Sequence, residues 1–140
     1  MAYIDTSVLA AYYCPERLSA RAQKALRSDP DPVISALVEL ELHSAVAAKV
    51  RGLELSMAAA NQIVSLFRLH VADGCFRVVP IEPREYALAC RWIGGFSTAL
   101  RTLDALHLAA AFANNLTLLT ADRALARSAT HLGVTHELIG

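Results

Sequence analysis

Four acidic residues occupy positions from which an α/β fold can bring their carboxylates together: Asp5, Glu41, Asp104 and Asp122. Asp5 directly follows the short run Ala2–Ile4, and Asp122 follows the run Leu116–Ala121. If both runs are parallel strands of one sheet, both acids lie at its carboxyl edge, where ligands bind in such folds. Either acid alone is also consistent with a helix N-cap or a first-turn acid that interacts with the helix dipole. Because both acids would lie at the same edge of one sheet, a functional site is favoured over two independent helix caps.

Asp104 belongs to the most apolar segment of the chain, Leu100–Ala113. A helix that is apolar on nearly every face is largely buried, and a buried carboxylate must be paired, metal-bound or protonated. Arg101 and His107 lie on the same helical face as Asp104, so a purely structural pair is the alternative explanation. Arg101 can equally contact a phosphate or a partner's acid. For His107, a core histidine bonded to a neighbour is favoured over a metal ligand.

Two glutamates, Glu39 and Glu41, compete for the fourth carboxylate position in the helix predicted over Ala36–Arg51. They are two residues apart and therefore point to different helical faces. Glu41 lies four residues from Leu37 and Ala45, which places it toward the packed side. Periodicity separates the two acids only weakly, and either can be a solvated helical acid.

A cluster of four carboxylates implies a bound cation. Two like charges about 4 Å apart repel by roughly 4 kcal/mol at an effective dielectric constant near 20. Oxygen ligands without a cysteine or histidine cluster favour Mg²⁺ or Mn²⁺ over Zn²⁺. A divalent ion held by carboxylates activates water and stabilises the leaving oxygen of a phosphodiester. The acid pattern therefore indicates nuclease chemistry.

The elements that position these acids follow from the hydrophobic pattern. The predicted strands are Ala2–Ile4, Val33–Ile34, Phe76–Ile81 and Leu116–Thr120, with a fifth candidate near Thr135–Ile139. The predicted helices are Val8–Tyr13, Leu18–Arg27, Ala36–Arg51, Leu55–Val71, Pro83–Trp92, Thr98–Asn114 and Asp122–Thr130. The predicted N-caps are the hydroxyls of Thr6 or Ser7, Ser35 and Ser56. Strands separated by helices imply a three-layer α/β/α domain around a parallel sheet of four to five strands. The third and fourth helices are expected to form a protruding hairpin.

The composition predicts one compact domain over residues 1–140. Hydrophobic residues make up 55% of the chain and charged residues 19%. A fully buried parallel sheet explains the apolar excess, and so does a surface covered by a partner. The formal net charge of zero argues against binding nucleic acid by bulk charge alone. Only Lys24 and Lys49 among the 13 basic residues are lysines, so a local arginine patch for phosphate remains open, as does a coding bias.

Cysteine usage and the absence of targeting patterns suggest the compartment. Cys14, Cys75 and Cys90 are odd in number, far apart and without a Cys-x-x-Cys motif, which favours reduced side chains over disulfides or zinc. No signal-peptide pattern precedes the first strand, and no apolar run approaches the length of a membrane span. We therefore expect a soluble cytoplasmic protein that does not contact membranes.

Four segments carry a more specific pattern. They are Tyr3-Ile-Asp-Thr-Ser-Val-Leu, Ile34-Ser-Ala-Leu-Val-Glu-Leu-Glu-Leu, Leu103-Asp-Ala-Leu-His-Leu-Ala-Ala-Ala and Leu118-Leu-Thr-Ala-Asp-Arg-Ala-Leu. In this order and spacing the chain resembles the PIN-domain ribonucleases and, within them, the VapC toxins of bacterial toxin–antitoxin pairs. Each segment alone is weak, but together they cover both ends and most of the chain.

The resemblance implies a set of functional residues and a cofactor. The four family acids fall on Asp5, Glu41 rather than Glu39, Asp104 and Asp122. In the family these acids hold one or two Mg²⁺ or Mn²⁺ ions and activate water for RNA cleavage. The remaining matches, at positions where a hydroxyl supports the acidic cluster, are Thr6 and Thr120.

The resemblance also implies partners. It predicts a homodimer that is inhibited by a small VapB-type antitoxin, whose C-terminal segment lies across the active site. The Lys49–His70 hairpin corresponds to the region that clasps this segment. Typical substrates are structured RNAs such as tRNA or ribosomal RNA, so the implied activity inhibits translation.

Two other functions deserve comparison. A phosphoacceptor or phosphatase domain needs paired acids near the first strand and a lysine after a later strand, whereas the first strand here ends in Asp5-Thr-Ser and no lysine follows a late strand. A non-catalytic α/β interaction module, in which the acids are helix caps and ion pairs, is the second alternative.

Overall fold

The computed structural model describes all 140 residues, which form five strands and seven helices in the predicted alternation. The strands are β1 (Ala2–Ile4), β2 (Val33–Ser35), β3 (Arg77–Val79), β4 (Thr117–Thr120) and β5 (His136–Leu138). The helices are α1 (Thr6–Tyr13), α2 (Ser19–Ser28), α3 (Ala36–Arg51), α4 (Met57–Ala72), α5 (Pro83–Gly94), α6 (Thr102–Ala113) and α7 (Arg123–Leu132). None of the helices combines the length and apolarity needed to cross a bilayer.

All neighbouring strands are parallel, and their order in the sheet is β3-β2-β1-β4-β5. The chain moves outward from β1 through β2 to β3, returns to the centre at β4 and moves outward again to β5. The order therefore reverses between β1 and β4, which makes their carboxyl ends the topological switch point of the sheet. The helices that connect these parallel strands cover both faces of the sheet, which gives the predicted three-layer α/β/α architecture.

The most buried helix is α6, where seven consecutive residues from Ala105 to Ala111 are buried. This confirms the prediction made from its apolar sequence. Leu108 of α6 belongs to the main hydrophobic core together with Ile4 of β1 and Leu118 of β4, and none of the three is exposed to solvent. The two central strands are thus buried, as expected for a parallel sheet covered on both sides.

Helices α3 and α4 pack against each other as the predicted hairpin. The hairpin is also anchored to the body of the domain, because Phe67 of α4 is fully buried and packs near the rings of Tyr13 and Phe76. Ser56 is the N-cap of α4, as predicted, and its hydroxyl accepts the Ala59 N–H at 3.0 Å.

Two boundary predictions and one N-cap prediction were wrong for identifiable reasons. Helix α6 begins at Thr102 rather than Thr98, because the Thr98 hydroxyl accepts the Leu100 N–H at 3.3 Å in a local turn. Strand β3 covers only Arg77–Val79, since Pro80 has no N–H to donate to a ladder. The N-cap of α1 is Asp5, the capping role that the sequence left open for this acid, and neither the Thr6 nor the Ser7 hydroxyl caps that helix.

Candidate active site

Asp5 lies at the carboxyl end of β1, and only 3% of it is exposed. Its Oδ1 accepts hydrogen bonds from the Ser7 hydroxyl at 2.5 Å and from the Val8 N–H at 3.3 Å. Its Oδ2 accepts one hydrogen bond, from the Thr120 hydroxyl at 2.6 Å. One carboxylate therefore joins β1, the first turn of α1 and the end of β4.

Burial raises the pKa of Asp5 above its usual value, although the Ser7 and Thr120 hydroxyls oppose that shift. The direction shows that the hydrogen bonds offset the desolvation of the carboxylate only in part. A cation close to Asp5 would offset the remainder. Because Oδ2 has a single donor, it retains an acceptor position for another ligand.

Two hydroxyls connect Asp5 to the loop that precedes α7. Thr120 is fully buried, and its Oγ1 accepts the Asp122 N–H at 3.0 Å while donating to Asp5. Ser7 Oγ accepts the Ala121 N–H at 2.9 Å while donating to Asp5. Thr120 thus lies where a supporting hydroxyl was expected. Ser7 was not among the predicted site residues, since its position suggested only a helix cap.

Asp122 is the N-cap of α7, with Oδ1 accepting the N–H groups of Ala124 and Leu125 at 2.8 and 3.2 Å. The capping interpretation left open by the sequence is therefore correct. It does not exclude a second role, because the cap uses one carboxylate oxygen and the other makes no hydrogen bond.

Asp104 lies in the first turn of α6, with 24% of its side chain exposed, and its Oδ2 is 3.4 Å from Nε of Arg101. The pair predicted with Arg101 is present, whereas His107 does not bond to Asp104. Burial raises the pKa of Asp104, Arg101 opposes this, and the negative charge of Asp122 raises it further. Asp104 and Asp122 are therefore close enough to repel each other.

Glu41 is held by a separate buried network. Its Oε1 accepts the Thr6 hydroxyl at 3.0 Å and contacts Nε2 of His107. Nδ1 of His107 is 2.8 Å from the hydroxyl of Tyr3, which is 2.8 Å from Oγ of Ser35. His107 is thus a core histidine, as predicted, and Ser35 makes no cap hydrogen bond because its hydroxyl is directed to Tyr3.

The structure separates Glu41 from Glu39 more clearly than the sequence does. The Glu41 side chain is 22% exposed, whereas that of Glu39 is 45% exposed and lies 3.9 Å from Arg68. Burial raises the pKa of Glu41, but the hydrogen bond and charge of His107 and the Thr6 hydroxyl outweigh it and lower the pKa overall. Glu41 is therefore favoured as an ionised carboxylate that faces the interior.

The four acids lie around the carboxyl edge of β1 and β4 but do not form a closed cage. No set of three or more His, Cys, Asp or Glu side chains is close enough to hold a metal ion. The available donors are nevertheless all oxygens. Burial raises the pKa of both Asp5 and Asp104, and the negative charge of Asp122 raises that of Asp104 further. Mg²⁺ is usually bound by one or two carboxylates with waters completing its octahedron, so this donor set fits Mg²⁺ or Mn²⁺.

Comparison with known proteins assigns the fold. The sequence profile of the PIN domain matches residues 2–130, so the chain belongs to the PIN domain family. No curated protein sequence gives a significant match.

Solved structures with similar folds include toxins and toxin–antitoxin complexes. VapC20 of Mycobacterium tuberculosis, a toxin that cleaves the sarcin–ricin loop, aligns with a TM-score of 0.71 and 18% identity, covering 91% of this chain and 95% of that one. FitAcB of Neisseria gonorrhoeae aligns with a TM-score of 0.72 and 21% identity, and the alignment covers 97% of this chain and 96% of that one. VapBC2 of Rickettsia felis, bound to a promoter DNA fragment, aligns with a TM-score of 0.69 and 16% identity. That alignment covers both chains completely. At these identities the likeness establishes the fold.

The Tyr3 hydroxyl is expected to stabilise the folded protein through its two buried partners. In Tyr3→Phe, the buried His107 and Ser35 each lose a hydrogen-bond partner, so the free energy of unfolding should fall by about 1–3 kcal/mol. Tyr86→Phe is the matched control, because Tyr86 is 54% exposed and makes no hydrogen bond. Urea denaturation measures both variants, and equal stabilities would show that the network contributes nothing.

The ionised carboxylate of Asp104 is expected to destabilise the folded, metal-free protein at neutral pH. Because its folded-state pKa is raised, the folded protein binds this proton more tightly than the unfolded chain, and stability is lost as the pH rises through the folded pKa. Asp104→Asn should therefore be more stable than wild type at pH 7 in EDTA, and the difference should disappear below about pH 4. Denaturation at both pH values tests this. A less stable variant at pH 7 would show that the Arg101 pair dominates.

Proposed function

We propose that this PIN domain is a Mg²⁺- or Mn²⁺-dependent endoribonuclease that acts as the toxin of a toxin–antitoxin pair. The observation that carries the proposal is the position of Asp5 and Asp122, which flank the switch point of the sheet with Asp104 and Glu41 nearby. Ligands of open α/β sheets bind at such points.

Asp5, Asp104 and Asp122 would hold the ion, with Glu41 completing the acidic site. When bound, Mg²⁺ or Mn²⁺ supplies a water nucleophile at neutral pH and neutralises charge on a phosphodiester. The hydroxyls of Ser7 and Thr120 fix both oxygens of Asp5, so this carboxylate is oriented before any ligand arrives. Thr6 and His107 both hold Oε1 of Glu41, which leaves Oε2 without a hydrogen-bond partner. Preorganised ligands avoid reorganisation during the reaction.

The substrate proposed is structured RNA, either tRNA or ribosomal RNA, and its cleavage would inhibit translation in the cytoplasm. Support comes from the similar fold of VapC20, a toxin that cleaves the sarcin–ricin loop. The zero net charge of the chain implies that RNA is held by local contacts near the acids rather than by an overall basic surface. Arg101, beside Asp104 and largely exposed, is one such contact.

The partner proposed is a VapB-type antitoxin, and the toxin itself is proposed to be a homodimer. Several structural neighbours are toxin–antitoxin complexes, among them one from Klebsiella pneumoniae at a TM-score of 0.65 and 19% identity. The α3–α4 hairpin also exposes five large apolar side chains: Leu40, Leu53, Met57, Leu66 and Leu69. Apolar side chains exposed on one hairpin are suited to contact with a protein partner, so the hairpin is the surface on which we place the antitoxin.

A non-catalytic interaction module is the competing function, and the Asp122 cap and Asp104–Arg101 pair are the contacts that favour it. An interaction module of this kind predicts that divalent ions leave the melting temperature of the protein unchanged. The proposed nuclease must instead be stabilised by an ion that binds only the folded state.

Asp104→Asn is expected to abolish Mn²⁺-dependent cleavage of RNA while leaving the circular dichroism spectrum unchanged. Mn²⁺ should also raise the melting temperature of wild type by linkage and raise that of the variant less. Glu39→Gln is the matched control, because Glu39 is a more exposed acid paired with Arg68, and it should retain wild-type activity. Cleavage by Asp104→Asn at the wild-type rate would make Asp104 structural, and a wild-type protein unaffected by Mn²⁺ would favour the interaction module.

A further inference from the structure

An open cleft of about 330 Å³ begins at Asp104 and extends along α7. One wall is the loop that joins α5 to α6, and the other is the face of α7 formed by Ala124, Arg127, Ser128 and His131. These residues recur at helical spacing and therefore lie on one side of α7. The volume is within the range of pockets that hold small organic ligands.

The charges in this cleft are unbalanced. Arg101, Arg127 and His131 line it, whereas Asp104 is its only acid. Arg101 is paired with Asp104, but Arg127 makes neither a salt bridge nor a side-chain hydrogen bond and is exposed. His131 likewise makes no side-chain hydrogen bond. A free guanidinium in a polar cleft is suited to a phosphate, which it contacts with paired N–H groups.

Further donors line the cleft, and an exposed aromatic residue directly precedes one of its lining residues in the chain. Ser128 and Thr98 contribute hydroxyls to its lining. Arg101, the N-cap of α6, offers no side-chain acceptor, so the first-turn N–H groups of that helix have no side-chain cap. Phe96 lies next to the lining residue Ser97, is 91% exposed and has a φ of 55°. This left-handed conformation is rare for an aromatic residue.

We infer that this cleft binds the RNA strand on one side of the cleaved bond, with a phosphate at Arg127 and a base stacked on Phe96. The inference rests on the proposed nuclease function, because Asp104 joins the cleft to the acidic site. A basic groove beside an exposed aromatic ring is the combination that binds single-stranded nucleic acid. An acidic protein segment would use the arginines but would leave the ring without a stacking partner.

The test uses Arg127→Ala, Arg127→Lys and Phe96→Ala, with Arg21→Ala as the matched control. Arg21 is an exposed arginine of α2 that makes no salt bridge and does not line the cleft. The readouts are kcat and KM for RNA cleavage in Mn²⁺, and the affinity for a fluorescent single-stranded RNA in EDTA as a function of salt.

Arg127→Ala should raise KM and weaken RNA binding about five- to tenfold, with kcat nearly unchanged. The slope of log affinity against log salt should decrease by about 0.7, the value for one phosphate contact on a single strand. Arg127→Lys should keep that slope because it keeps the charge. Phe96→Ala should weaken binding without changing the slope, and Arg21→Ala should match wild type in every measurement.

Failure of this inference is distinguishable from failure of the nuclease proposal. If wild type cleaves RNA and Arg127→Ala retains its KM and salt slope, the cleft is not a substrate site. If wild type cleaves nothing, the nuclease proposal fails, and the EDTA titration still decides whether Arg127 binds RNA. If wild type binds poly-glutamate more tightly than Arg127→Ala does, while both bind RNA equally well, the cleft accepts an acidic protein segment and the inference is overturned.

Discussion

The burial of Asp5 is the constraint around which the centre of the molecule is arranged. An ionised carboxylate removed from water costs several kcal/mol unless partners replace its hydration. Here the replacements come from Ser7, Val8 and Thr120, which belong to two elements far apart in sequence. Satisfying one side chain therefore fixes β1, α1 and the end of β4 relative to each other. The pKa of Asp5 is still raised by burial, so negative charge at this position remains unfavourable without a cation.

Strand β1 organises both polar networks of the site. Tyr3 and Asp5 are two residues apart on an extended segment, so their side chains point to the same face of the sheet. Asp5 leads to Thr120 and the loop before α7, whereas Tyr3 leads through His107 to Glu41. Two residues, Tyr3 in β1 and Asp5 at its end, thus connect Glu41 of α3 with the loop before α7 that carries Asp122. Because both hydrogen-bond networks begin at β1, side chains from separate parts of the chain acquire fixed orientations at one edge of the sheet.

Much of the fold and part of the site could be predicted from the sequence, because both depend on local signals. Strand ends located Asp5 and Asp122, and the apolar run around Asp104 predicted the burial of α6. Every predicted helix and strand is of the correct type. The predicted start of α6 was wrong because it depends on a turn made by Thr98, which periodicity does not detect. The capping role of Asp122 and its place at the carboxyl edge of the sheet were both anticipated, but only the structure shows the strand order and that one oxygen serves the cap.

The contacts missed were those that join distant parts of the chain. Ser35 and Ser7 have the sequence features of helix caps, and nothing local indicates that their hydroxyls contact Tyr3 and the Ala121 N–H. The bond between His107 and Glu41 spans 66 positions and depends on how α3 and α6 pack. Long-range hydrogen bonds of this kind follow from tertiary packing, which a single sequence does not encode as a pattern.

The central claim is that the carboxyl edge of β1 and β4 is a divalent-metal site on a nuclease. The most direct measurement is anomalous diffraction near the manganese absorption edge from crystals soaked in Mn²⁺. We expect a peak bonded to carboxylate oxygens of Asp5 and of Asp104 or Asp122, with water at the remaining positions. A saturated crystal with no peak at this edge, or with its manganese bound elsewhere, would contradict the claim.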